Sequence, residues 1–330
     1  MDITTEYFSF IDENETVTEF FSLEPENTKL IEDKEQQNSH TLSWYMWVYA
    51  ILSTIMLIFI YAHCTCLCVS TFRVFWPRKY DMNRKYVLVL SALDTVACFV
   101  AACQFLVERL MVFLPVPGGY IHGRIYAWSL ETIFVLLQVA YSSVLLVWAT
   151  DRFLEIRHKR KYKIIKQSPL HKLLSICFVL MHPMFFWLIL FLSNFHLISD
   201  VMSMILFATS SIVDILKFPL LWGLLKLSTV FLSVPLEDST MDARTVSEIR
   251  RNKQKMEISI KICGWVSIFH FILRLQSLTY AIVYFKQFDL IIITRSCMFF
   301  VLFVGTFKVY WRYDNHFKTI FKIMHEQNRY

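Results

Sequence analysis

Residues Trp44 to Val69 read WYMWVYAILSTIMLIFIYAHCTCLCV, a run without a single Asp, Glu, Lys or Arg. A helix needs about 20 apolar residues to cross the roughly 30 Å of hydrocarbon in a bilayer, so this stretch predicts a transmembrane helix. Outward from it the same pattern recurs six times, over Tyr86 to Phe113, Tyr126 to Ala149, Leu173 to Leu192, Val201 to Val234, Ile258 to Phe285 and Phe288 to Trp311. Lipid offers no partner for an unpaired backbone group, which leaves helices as the spanning structure. The expected fold is an all-α membrane protein, a bundle of seven transmembrane helices. Residues 1–43 form an acidic tail, 44–311 the bundle, and 312–330 a second tail with a short amphipathic eighth helix. Pro219 lacks an N–H and should kink the fifth span.

Composition points the same way. Hydrophobic residues make up 56% of the chain and charged residues 18%, against about a quarter charged in soluble domains. Thirty Phe and 15 Tyr exclude a disordered chain, and 6 Gly a collagenous one. Long apolar runs, in place of short alternating segments, argue against a β-barrel. The net charge of +6 is no sign of nucleic-acid binding, because the basic residues flank the spans.

Lys and Arg fix the orientation. The connections 71–85, 151–172, 235–257 and 312–330 carry 22 of them, and 1–43, 114–125, 193–200 and 286–287 carry 4. The positive-inside rule then places the N-terminus outside the cell and the C-terminus in the cytosol, the parity that seven spans require. Eleven acids crowd the first 43 residues, which lack the basic start and apolar core of a cleavable signal peptide, so Trp44 to Val69 is the expected insertion signal. Asn14-Glu15-Thr16 is a glycosylation sequon on the outer side. All eight cysteines fall within or beside spans, against an extracellular disulfide framework. Cys64, Cys66 and Cys68 read either as palmitoylation candidates or as small apolar helix residues.

Ionisable residues inside a span are costly and normally face a cavity or a partner. Asp94 lies deep in the second span and calls for a polar partner on a facing helix, with His63 a candidate. Glu131, Asp214 and Arg295, with Phe134, Trp128 and Tyr280 as apolar walls, are the expected lining of an outward-opening ligand pocket; simple pairing of Glu131 or Asp214 with Arg295 or Lys217 is the competing expectation. His182 and His270 read as bonded core imidazoles. No helical His pair points to a metal, and no cofactor is expected.

At the end of the third span the chain reads Thr150-Asp151-Arg152-Phe153. This resembles the Asp-Arg-Tyr signature of rhodopsin-like G-protein-coupled receptors. Leu90-Ser91-Ala92-Leu93-Asp94 resembles the family's second-helix motif, and Tyr310 followed by Phe317 to Lys322 is similar to its seventh-helix Tyr and eighth helix. Thr306 to Tyr310 keeps only the Tyr of Asn-Pro-x-x-Tyr, which places the resemblance among divergent members, orphan or nematode chemosensory-like. It implies a plasma-membrane receptor that passes the binding of an extracellular peptide or small molecule to a heterotrimeric G protein. The implied switch is Asp151, Arg152, Phe153, Glu257 and Tyr310, with Arg152 held by Asp151 and Glu257 until the sixth span swings outward.

A transporter or channel is the alternative, motivated by the intramembrane charges. Absence of an internal repeat and scarcity of glycine for broken helices weigh against it. An intramembrane hydrolase ranks third, because His63, His182 and His270 lie at different depths and converge on no metal, so no enzymatic activity is expected.

Overall fold

The chain winds helix after helix in the computed structural model, which describes residues 44–76, 83–113, 119–194, 197–233, 243–283 and 288–327. The acidic tail, with Asn14, lies outside the described residues. The helices are α1 (Trp44–Phe75), α2 (Arg84–Phe113), α3 (Gly119–Arg157), α4 (Lys159–Gln167), α5 (Pro169–Asn194), α6 (Asp200–Ser233), α7 (Ala243–Val283), α8 (Phe288–Tyr313) and α9 (Asn315–Gln327). Among the described residues seven of them, all but the short α4 and α9, are long and apolar enough to cross a membrane. This is a multi-pass membrane protein with a seven-helix bundle.

Several helices outrun the apolar stretches that announce them. Hydropathy falls where charges begin, but a helix continues until something breaks it. The charged start of α7, Ala243 to Glu257, contains no Gly or Pro and is rich in Arg, Lys, Gln and Glu, all good helix formers. Breaks occur where the chemistry provides them. Ser168 precedes Pro169 and is extended, with φ −64° and ψ 132°, as the proline ring demands of its predecessor. That residue ends α4, and Pro169 opens α5, where its missing N–H costs nothing. Asp314 stops α8 and caps α9 by accepting a hydrogen bond from the Phe317 N–H at 3.0 Å. Pro183 and Pro219 both lie inside helices.

Hydroxyls inside the spans have no water to bond. They turn back on their own helices instead, as Thr65 does to the Tyr61 carbonyl, Thr95 to that of Ser91 and Thr150 to that of Leu146. Large apolar side chains such as Phe59, Phe99 and Met181 point outward, as a lipid solvent permits. Helix α3 is the hub, packed against α2, α5, α6 and α7, while α8 closes the ring against α1. Helix α9 docks through Phe317, fully buried against Phe75, Phe307 and Tyr310.

Helices α7 and α8 approach closely at Gly305. A Cβ there would lie 2.6 Å from Cζ of Phe269, so the ring must move before any side chain fits. Gly305→Ala is expected to cost about 1–3 kcal/mol by overpacking and to lower the melting temperature of the solubilised protein. Adding Phe269→Leu should restore much of the loss.

Candidate functional site

Polar side chains gather at three levels along α3, and at each level α7 supplies a partner. Arg274 Nη1 donates to Gln138 Oε1 at 3.2 Å. Three residues along, the Tyr141 ring stacks on His270 with centroids 3.4 Å apart. Further on, Trp148 Nε1 donates to Ser259 Oγ at 3.3 Å, and Arg152 Nη1 lies 3.8 Å from the Met256 sulfur. These contacts run antiparallel down one seam of the bundle.

The first level centres on Asp214 of α6, fully buried. Its Oδ1 accepts from Ser142 Oγ at 2.5 Å and from Lys217 Nζ at 3.1 Å. Arg274 Nε lies 2.9 Å from Oδ2, an ion contact with the N–H misaligned, so Oδ2 accepts no hydrogen bond. Lys217 also donates to Ser143 Oγ at 2.8 Å and approaches Nδ1 of His182 at 2.6 Å. An ammonium can only donate there, so Nδ1 accepts and Nε2 carries the proton toward Ser210 Oγ, 2.9 Å away. His182 is thus a bonded imidazole. Gln138 Nε2 is buried without a hydrogen-bond partner.

Of the expected ligand pocket, Phe134 and Arg295 come together: the guanidinium lies 5.1 Å from the ring centroid, and Nη1 donates to Gln104 Oε1 at 3.4 Å. Asp214 sits in the other group of contacts, with Lys217, which the pairing expectation named, and with Arg274, which it did not. The side chains of Trp128, Glu131 and Tyr280 lie outside the described residues.

At the second level Asp94 is buried and accepts from the Tyr141 hydroxyl at 3.3 Å. The partner comes from α3 and not from His63, which faces outward and meets the ring of Phe300 at 5.6 Å. A carboxylate needs a donor, and the phenol reaches it where the imidazole points away. His270 Nε2 has no hydrogen-bond partner. Cys64 and Cys68 are buried in this region and Cys66 is exposed; all eight cysteines are free thiols. Only Cys66 of the three presents its sulfur outward for acylation.

The third level holds the Asp151-Arg152-Phe153 stretch. The expected pairing of Arg152 with Asp151 and Glu257 does not occur. Adjacent residues on a helix point about 100° apart, so Asp151 turns toward α2 and α5, where Lys85 Nζ bonds its Oδ2 at 2.8 Å and His171 lies 3.7 Å from Oδ1. Arg152 is 0% exposed and meets Glu155 at 3.1 Å, one turn along its own helix. Glu257 faces outward and pairs with Lys261 at 2.8 Å. Two nitrogens of Arg152, Nε and Nη2, have no hydrogen-bond partner. Nearby, burial and then the Asp151 carboxylate raise the Tyr162 phenol, and burial lowers Lys166. Phe153 packs toward Phe231, and Tyr310 is buried against Phe75 and Phe317.

A contact that sequence reasoning did not foresee closes this end. Ser259 Oγ donates to Asn83 Oδ1 at 2.5 Å while accepting from Trp148, tying α7 to the start of α2 and to α3. Nothing in the local sequence marks the Asn83 link, since the two residues are 176 positions apart. Glu155 was visible at the i,i+3 spacing from Arg152, as Lys217 was from Asp214. No group of three His, Cys, Asp or Glu residues suited to a metal occurs among the described residues.

No family model matches the chain, and no curated protein matches it.

Removing Asp214 would strand the buried Lys217 and the partly buried Arg274. Asp214→Ala is expected to cost about 3–5 kcal/mol and to cut the folded yield sharply. Arg274→Gln, which leaves the Asp214–Lys217 pair intact, should be milder in the same thermal-unfolding assay.

Proposed function

We propose that this chain is a rhodopsin-like G-protein-coupled receptor of the plasma membrane, with its N-terminus outside and its Arg152 end in the cytosol. A ligand bound from outside moves the near-cytosolic part of α7 outward and uncovers a groove for a heterotrimeric G protein. One observation carries this reading: Arg152, at the end of a spanning helix, is fully buried with two guanidinium nitrogens unbonded. A permanently buried cation gains by bonding all its donors. A guanidinium left half-bonded beneath one methionine of a neighbouring helix suits a group that is handed to a partner.

The surroundings support the same reading. Helix α4, KRKYKIIKQ, carries five cations in its sequence, and its Lys166 lies 3.9 Å from Glu155, the carboxylate that Arg152 meets, in keeping with the basic cytosolic face that orients the chain. Helix α9 takes the place of the eighth helix. The link that holds α7 in is Asn83–Ser259–Trp148, in place of the Arg152–Glu257 pair implied by the resemblance. The expected ligand is a small molecule or peptide reaching Arg295 and Phe134.

The link comprises two hydrogen bonds, each worth about 1 kcal/mol net, and about 1.4 kcal/mol shifts a two-state ratio tenfold. In cells co-expressing a panel of G-protein α subunits, Ser259→Ala should therefore raise basal second-messenger output several-fold. Glu257→Ala should leave it unchanged, because its partner is the exposed Lys261. Arg152→Ala should abolish coupling at normal surface expression. Coupling by Arg152→Ala equal to the parent's overturns the proposal, and ligand-independent solute flux in proteoliposomes would favour a transporter or channel.

A further inference from the structure

Between α3, α5 and α6 a pocket of about 390 Å³ opens on the side of the bundle, within the about 300–1,000 Å³ range of small-molecule sites. Its outer walls are Phe178, Met181 and Phe185, all exposed on the lipid-facing surface of α5. Its inner end is closed by three buried residues of another character, Ser143, His182 and Lys217. The first is a hydroxyl, the second an imidazole, and the third a cation that is 8% exposed.

Behind that inner end the charges do not balance. Asp214 is the carboxylate in contact with both Lys217 and Arg274, so among the described residues one anion serves two cations. The other partners of Lys217 are dipoles: Ser142, Ser143 and the acceptor nitrogen of His182. An excess cation in a low-dielectric slab is costly, and a second anion stabilises it. The anion has to arrive in an apolar carrier, because the walls leading to Lys217 are two phenylalanines and a methionine.

We propose that this pocket binds a membrane-dissolved apolar acid of the fatty-acid class, with the carboxylate at Lys217 and the chain along Phe178, Met181 and Phe185. The Lys217 side chain is flexible enough to turn its ammonium from the serines toward the incoming carboxylate. Depth separates a free acid from an anionic phospholipid. His182 lies about midway along the span Pro169–Ser193, far from both headgroup layers, and a phospholipid cannot bring its phosphate there. The inference stands on the cavity and the charges and does not rest on G-protein coupling.

The test uses the full chain in phosphatidylcholine nanodiscs and a long-chain fatty acid carrying a diazirine. Photolabel should concentrate on residues 178–185 of α5. Excess unlabelled fatty acid should remove it, while the fatty alcohol of equal length and added phosphatidylserine should not. Met181→Trp fills the pocket from its lipid side without touching the charged cluster, and should abolish labelling at an unchanged melting temperature. Lys217→Gln should weaken binding by roughly tenfold or more, the scale of a single charge-assisted hydrogen bond. Label spread evenly over the lipid-facing helices, equal competition by the alcohol or by phosphatidylserine, or parent-like labelling of Met181→Trp overturns the proposal. Should Lys217→Gln fail to fold, the acid-against-alcohol comparison on the parent protein decides the charge requirement.

Discussion

Water is absent from the middle of a bilayer, and every polar group the chain places there must find its partner within the protein. That constraint organises the whole bundle. Backbone groups meet it by forming helices, and most span hydroxyls by bonding their own helix. Ionised side chains meet an opposite charge one turn along, as Asp214 meets Lys217 and Arg152 meets Glu155, and also reach across to other helices. Helix α3 touches four neighbouring spans, and the polar reach of α2, α5, α6 and α7 converges on it. Asp94, His182, Asp214, His270 and Arg274 all have a contact with α3 or with a group bonded to it. The hub position of α3 is therefore both a packing fact and an electrostatic one.

The levels differ in how strongly they are held. Asp214, Lys217 and Arg274 form a largely buried ion cluster, with the Ser142 and Ser143 hydroxyls bonded to it. Asp94 meets one phenol. Arg152 meets one carboxylate on its own helix and a sulfur on α7. Burial without full satisfaction is expensive; at the Arg152 end the unused capacity is two donors of a cation, and at the Asp214 end it is one carboxylate oxygen and the Gln138 amide nitrogen. Apolar packing compensates there: Trp148, Tyr86, Phe75, Tyr310 and Phe317 belong to one buried cluster, and the Tyr86 and Trp148 rings are stacked at 5.5 Å.

How much of this was legible in the sequence follows from range. Seven apolar runs marked seven spans because the requirement of lipid is local and long. Helix ends were harder, since hydropathy reports where lipid stops and not where hydrogen bonding stops; α3 and α7 continue well past their apolar stretches. Asp94 and Arg152 could be singled out as residues needing partners but not matched to them, whereas Lys217, one turn from Asp214, could be. Asp151 and Arg152 are neighbours in sequence and face different helices, so the dipeptide says nothing of its own pairing. Asn83 with Ser259 is a meeting of two uncharged groups, and Arg274 with Gln138 of a cation and an amide, from distant segments, with no periodic signal to betray them.

The seam between α3 and α7 shows what the unequal levels imply for motion. Arg274 is anchored twice, to Asp214 and to Gln138, and separating a buried ion pair costs about 3–5 kcal/mol. At the other end the seam rests on a 3.3 Å indole–hydroxyl contact, the Ser259–Asn83 bond and a 3.8 Å guanidinium–sulfur contact, each neutral hydrogen bond worth about 1 kcal/mol. A rigid helix held firmly at one end and weakly at the other does not translate; it pivots about the firm end. In the receptor reading the firm end is the outer one, so α7 opens at the cytosolic side, where Arg152 waits with donors unused. Occupation of the outer cluster by an anion would redistribute the charge that holds Arg274, and the pivot itself would then be the element through which binding is felt at Arg152.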